Sequence, residues 1–367
     1  MDRRKILKTI SGAAPVSLSL SGCTGDGGDE ANGTTPTDDD ETPTDSTQSP
    51  GGKSSPQTTA TTEGNEDDAA ASVYVYRVEN GNDRRTAIEA LLERFDTDFA
   101  GQRVAVKANF NSADPFPAST HPETLGALFD GIGSEANVVF AERSGMGDTA
   151  TILEETGVLE LAEENGVETV VLDDLEEDQW RRMDAPESHW RDGFLFPDVF
   201  ADADAVVQTC CLKTHRYGGH FTMSLKNSVG MVAETDPETG RDYMAELHGA
   251  DQREKIAEVN AAYDPEFVVM DGIVGFATGG PARGERIEPG IVAASRDRIA
   301  LDAVGVAVLR SYDTREVVAE GPIFEQEQIT RAGELGLGIT SSEDVRVVPV
   351  NEAAEKVAET IRERLRS

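Results

Sequence analysis

Cysteine is scarce in this 367-residue chain, which holds three: Cys23, Cys210 and Cys211. With no C-x-x-C pair and no set of four, an iron–sulfur cluster has no ligands here. Cys210 and Cys211 are adjacent, a spacing that disulfide geometry disfavours. Two phosphate-binding signatures, G-x-x-x-x-G-K-[ST] and G-x-G-x-x-G, are also missing, which removes the common nucleotide cradles. Ser144 does not sit in a G-x-S-x-G elbow, so a serine hydrolase is a poor reading. Positive charge is short as well. Against 69 acidic residues stand 33 Lys and Arg, a net charge of −36, and such a balance argues against a broad basic face for nucleic acid. No apolar run is long enough for a permanent membrane-spanning helix. From Thr24 to Ala71 there is no Val, Ile, Leu, Met or aromatic residue at all, so that stretch has nothing with which to build a core.

What is present begins with "MDRRKILKTISGAAPVSLSLSGC". Arg3 and Arg4 ahead of a short, weakly apolar run resemble a twin-arginine export signal, the address read by the Tat translocase on folded cargo. "LSGC" resembles a lipobox, which implies cleavage before Cys23 and a lipid on its sulfur that tethers the chain to the outer face of the cytoplasmic membrane. The expected organisation is a signal peptide over 1–22, a lipidation site and acidic Thr/Ser/Gly/Pro linker over 23–71, and a folded domain over 72–367. That domain keeps a large acidic surplus, as expected of a protein held soluble in very high salt. With the export signal, it points to a haloarchaeal source.

Patterning over 72–367 alternates strands and helices. "VYVYRV", "RVAVKANF", "NVVFAERSG", "VETVVLDD", "ADAVVQTCCL", "EFVVMDGIVG", "GIVAAS" and "DVRVVPV" read as strands. Helical spacing marks "DRRTAIEALLERF", "PETLGALFDGI", "TATILEETGVLELAEENG", "QREKIAEVNAAY", "DRIALDAVGVAVLR" and the C-terminus. The middle, 175–198, has no clear pattern. Strand, loop, helix, strand in repetition predicts one α/β domain, a mostly parallel sheet with helices on both faces. Cys210 and Cys211 fall on a buried strand. "FATGGPARGER" reads as a loop, suited to a lid or to a close backbone approach.

In such sheets ligands gather beyond the carboxyl ends of the strands. Polar residues recur at that edge: Lys107 and Asn109, Glu142 and Arg143, Lys213 and His215, and Asp271. The segment "LKTHRYGGHFTMSLKNSVG" concentrates cations in an otherwise acidic chain, with Lys213, His215, His220 and Lys226 close together. This favours a phosphate or carboxylate ligand, and the start of a short helix near Lys226 and Asn227 would add backbone N–H donors. Gly218 and Gly219 would admit a ligand close to the backbone. A divalent or transition metal is the alternative, needing His215 and His220 to be joined through the fold by His121, His248, Asp271 or Glu142. Asp302, on an apolar helix, requires a partner of its own.

"VAVKANF", "STHPETLGAL", "LKTH" with "SLKNSVGM", "VVMDGIVG", "GGPARG" and "ASRDRIALDAVG" together resemble, in order, the family called domain of unknown function 362, over nearly the whole folded region. The usual Lys-Pro-Asn is here Lys107-Ala108-Asn109, and the cysteine module attached to many relatives is missing, so its electron-transfer role is not carried over. The resemblance implies a site among Lys107, Asn109, His121, Glu123, Lys213, His215, Lys226, Asn227, Asp271 and Asp302. A fainter likeness to nickel-pincer lactate racemases lies in the polar strand ends and the Gly-rich His/Lys loop; it implies proton exchange beside a carboxylate.

Two functional readings follow, with a structural one beside them. One is an exported enzyme acting on a small anion, with His215, Lys213 and Asp271 as catalytic residues and Lys107, Asn109, His121, Glu123, Lys226 and Asn227 as substrate contacts. The other is a lipid-anchored solute-binding protein without catalysis. A third treats the cluster as structural.

Overall fold

A computed structural model describes residues 70–79 and 83–367. The export signal, Cys23 and the acidic linker lie outside the described residues. Twelve strands are described: β1 (Ala71–Arg77), β2 (Arg103–Lys107), β3 (Asn137–Glu142), β4 (Glu168–Val171), β5 (Trp180–Met183), β6 (Phe194–Pro197), β7 (Ala205–His215), β8 (His220–Thr222), β9 (Pro265–Gly279), β10 (Gly284–Ile287), β11 (Ile291–Ser295) and β12 (Val345–Pro349). Ten form one sheet whose main path runs β12-β1-β11-β9-β7-β2-β3-β4, with β10 on β9 and β8 on β7. The α/β, mostly parallel expectation holds: β12–β1, β9–β7, β7–β2, β2–β3 and β3–β4 are all parallel. Strand β11 runs antiparallel to both its neighbours, which makes the sheet mixed.

Period-two burial shows why these strands form. On β2, Val104 and Val106 face one core while Ala105 faces the other; on β9, Phe267 and Val269 oppose Val268 and Met270 in the same manner. A strand buried on both faces reads as a continuous apolar run, as the parallel strands do. The core on the Ala105 side is closed by residues of the helices Arg298–Leu309 and Glu355–Leu365, that on the Val104 side by residues of Arg84–Leu92 and Pro122–Ile132. Cys210 and Cys211 are buried and free inside β7, as their apolar neighbours predicted.

Some expectations change. The helix expected over 149–166 is two, Thr149–Glu155 and Val158–Glu164, separated by Gly157 at φ 73°, a left-handed residue that ends the first. The unplaced middle contributes β5 and β6, a separate antiparallel pair. "FATGGPARGER" is no loose loop: β9 continues to Gly279 and folds onto β10. At Gly280 (φ 55°) an added Cβ would fall 1.8 Å from the Thr214 carbonyl oxygen, so the close approach is of hairpin to β7.

From β2 the chain steps outward to β3 and β4, then returns to place β7 on the other side of β2 and β9 beyond it. The order reverses between β2 and β7, and such a switch point opens a crevice at the carboxyl strand ends. A register shift between Cys211 and Lys213 bulges β7 where it reaches this crevice.

Candidate functional site

The crevice holds a pocket of ≈ 340 Å³, lined in part by Lys107, Asn109, Lys213, His215, Lys226 and Asn227. These are six of the nine substrate and catalytic nominees. Glu142, Arg143, Glu234 and His248 join them, with Met146, Tyr217, Val229, Met244 and Leu247 supplying apolar wall. The size suits a small molecule.

Four basic side chains line this pocket besides its histidines, and each has a different status. Lys107 Nζ lies 2.5 Å from Glu142 Oε1 and 2.5 Å from its neighbour's carbonyl, Ala108 O. Burial pulls the Lys107 ammonium below its ordinary value and pushes the Glu142 carboxyl above its own, each opposed by the partner's charge. Gly230 makes the space: a Cβ there would sit 2.9 Å from Lys107 Cε. Lys213 Nζ donates to Asn109 Oδ1 at 2.7 Å, to Pro117 O at 3.2 Å and to Ala118 O. Its three protons are all placed, so it positions Asn109 and the Pro117–Ala118 turn. Arg143 is spent likewise on the carbonyls of Val232 (2.8 Å), Ser144 (3.0 Å) and Val229 (3.2 Å).

Lys226 differs. Among the described residues its ammonium has no hydrogen-bond or ion-pair partner. Burial, then the charges of Lys213 and Arg143, lower it to about 8. Beside it, His215 is 4 % exposed and its Nδ1 is buried without a partner. Burial first, then Lys226, Lys213, His248 and Arg315, hold the imidazole far below its usual range, so the ring is neutral. Glu142 Oε2 and Asn227 Oδ1 are likewise buried and unsatisfied. Buried polar atoms are rarely left so. Three such atoms, beside the unpartnered ammonium of half-buried Lys226, leave this cavity's polar groups open to a ligand.

Two sequence arguments are corrected locally. The short helix Ser224–Asn227 does not offer its N–H groups to a ligand: Asp302 accepts from Ser224 N at 2.8 Å and Leu225 N at 3.0 Å. Asp302 is therefore the cap that fixes the Lys226 segment to the core, and burial raises it to about 7. Nor do the paired glycines face a ligand. Gly218, at φ 85°, turns the β7–β8 hairpin against Gln252, and Gly219 clears room for Lys226, whose Cε would be 2.7 Å from an added Cβ.

His121, Glu123 and Asp271 are not in this pocket's lining. They gather around Arg84, which sequence reasoning missed. Arg84 Nε donates to Asp271 Oδ2 at 2.7 Å and Nη1 to Glu123 Oε2 at 3.5 Å, and Thr124 Oγ1 donates to the same Asp271 oxygen at 2.6 Å. His121 is an N-cap, its Nδ1 accepting from Glu123 N at 3.2 Å. The available signal was "DRR" opening a helix, since arginine at a helix N-terminus opposes the macrodipole and so implies a partner.

No group of three or more His, Cys, Asp or Glu is arranged for a metal ion among the described residues. The donor chemistry agrees: His215 is ringed by Lys226, Lys213 and Arg315, which repel a cation and attract an anion.

The order of these motifs along β2, β7, β9 and the Arg298–Leu309 helix is that of a described family. The domain of unknown function family DUF362 matches residues 104–307. This chain belongs to DUF362. A thylakoid-associated protein of Synechocystis sp. is 35% identical over 114 residues, covering 30% of this chain and 33% of the relative. The chain thus matches about a third of that relative's length. Among solved structures, the lactate racemase apoprotein from Thermoanaerobacterium thermosaccharolyticum aligns with a TM-score of 0.38 at 13% identity, over 66% of this chain and 58% of that one.

Proposed function

We propose that this DUF362 chain is an extracytoplasmic, lipid-anchored enzyme that acts on a small carboxylate or phosphate anion in the β2/β7 crevice. The observation that carries the reading is Lys226: an unpartnered ammonium in the pocket of a chain with net charge −36. In such a background a cation without an acid is kept for a ligand. Lys226 supplies the charge, Lys213 holds Asn109 at the wall, and His215 carries the proton. In the free protein the neutral ring accepts a proton poorly. A bound anion offsets the surrounding cations and raises its affinity for one.

Titration calorimetry of inorganic phosphate, acetate and pyruvate against wild-type, Lys226→Met and His215→Ala chains tests this. The reading requires binding by the wild type and loss with Lys226→Met. Retention of binding in His215→Ala, with loss of conversion of any bound compound, identifies an enzyme. Binding without conversion in the wild type selects the solute-binding protein, and undiminished binding in Lys226→Met removes the site. Anchoring is tested separately, since Cys23→Ser should release the exported chain from the membrane.

A further inference from the structure

Lysines are few in the described residues, and most are engaged. Lys107 is paired with Glu142, Lys213 is saturated by three acceptors, and Lys255 donates to two backbone carbonyls, Glu246 O and Ala250 O. Among the described lysines, Lys226 is the one that lines the β2/β7 crevice with its ammonium unengaged. Its stem passes Gly219, where an added Cβ would approach Lys226 Cε to 2.7 Å and His215 Nδ1 to 3.2 Å. The lysine stem and the partnerless ring nitrogen thus both border the space that a side chain at Gly219 would fill.

Resting on the anion-site reading above, we propose that Lys226 is a nucleophile that condenses with the carbonyl group of a small anionic aldehyde or 2-oxo acid, forming an imine inside the β2/β7 crevice. The two conditions that activate a lysine amine are desolvation and neighbouring positive charge. Both act on Lys226, whose value falls to about 8 through burial and the charges of Lys213 and Arg143, leaving free amine near neutral pH. The Nζ lone pair adds to the carbonyl carbon while the carbonyl oxygen takes a proton. The resulting carbinolamine then loses that oxygen as water, so one C=N bond replaces one C=O bond and neither oxidant nor reductant is consumed. Neutral His215 is placed to take the proton the amine sheds and return it to the departing oxygen. A protonated imine keeps the positive charge at Nζ, so the anionic group stays attracted.

The test is reductive trapping. The full chain is incubated with pyruvate and cyanoborohydride, and the modified peptides are mapped by mass. A single reduced pyruvate adduct on Lys226, formed at least about tenfold faster than on any other lysine and suppressed by excess inorganic phosphate, is the expected result. Mapping in the wild type locates the adduct even if Lys226→Arg, the charge-preserving control in which it should vanish, folds badly. If phosphate binds in the crevice but Lys226 is labelled no faster than the surface lysines, the imine is wrong and the anion site stands. If phosphate and pyruvate neither bind nor modify Lys226, both are wrong.

Discussion

Two buried charged clusters lie at the sheet's carboxyl edge, and they differ in whether their charges are answered. Around Arg84, every group has a partner: Asp271 takes the guanidinium, Thr124 and the backbone N–H of Ile273, Glu123 takes a second guanidinium nitrogen, and the Phe116 ring lies 5.0 Å from the guanidinium carbon. Around Lys226, the ammonium, the His215 Nδ1, Glu142 Oε2 and Asn227 Oδ1 have none. A closed network uses its charges to hold elements together. An open one carries a stability penalty that the anion proposed above would relieve. Residue type does not separate them, since both contain a basic residue, a histidine and a carboxylate. Satisfaction does.

Breaking each cluster should therefore have opposite effects. Arg84→Met leaves Asp271 buried without its cation and should destabilise the fold by about 3–5 kcal/mol. By denaturant titration that is the largest loss, whereas the variant's affinity for anions, measured where it remains folded, should stay within a few-fold of wild type. Lys226→Met should do the reverse. With a folded value of about 8 against the ordinary 10.5, the charged lysine weakens the free protein by up to about 3 kcal/mol. That penalty is present below about pH 8 and fades as pH rises toward 10.5. Removing it should raise the thermal midpoint at pH 7 while anion binding disappears. If Lys226→Met destabilises instead, Lys226 is a structural residue like Arg84.

Asp302 joins the comparison from below the site. Its folded value, about 7, exceeds the ordinary 3.8, so its contribution is fullest below about pH 4 and is lost as pH rises through 7. Asp302→Asn should remove that part of the pH slope, and Asp302→Ala, which orphans Ser224 N and Leu225 N, should cost about 2 kcal/mol and loosen the Lys226 segment. The smallest effect is expected of Gly219→Ala: a methyl 2.7 Å from Lys226 Cε displaces the ammonium and should weaken anion binding by less than about tenfold. In the wild type, anion affinity should decline as pH passes about 8 and the ammonium is lost, while imine trapping, which needs both a captured anion and a free amine, should be fastest near that pH.

Much of this was legible in the chain. Alternating and continuous apolar runs mark β1, β2, β3, β7, β9 and β11, and polar residues at their ends nominated Lys107, Asn109, Lys213 and His215, which the crevice brings together with Lys226 and Asn227 from the cation-rich segment. Asp271 has the same appearance in one dimension, yet closes onto Arg84, as does Glu123, which the family resemblance nominated. Nothing in a strand-end position tells whether a side chain will meet a partner across the sheet. The antiparallel placement of β11 was equally hidden, because a strand buried on both faces carries no mark of its direction. The roles of Gly219 and Gly230 are set by lysine stems from other segments and leave no local trace.

The most direct test of the central claim is anomalous diffraction from crystals of the chain soaked in tungstate, a heavy oxyanion. The account predicts one strong peak in the β2/β7 crevice within hydrogen-bonding distance of Lys226 Nζ and none beside Arg84. A crevice without a peak, with Lys226 instead paired to an acidic side chain of its own fold, would contradict it.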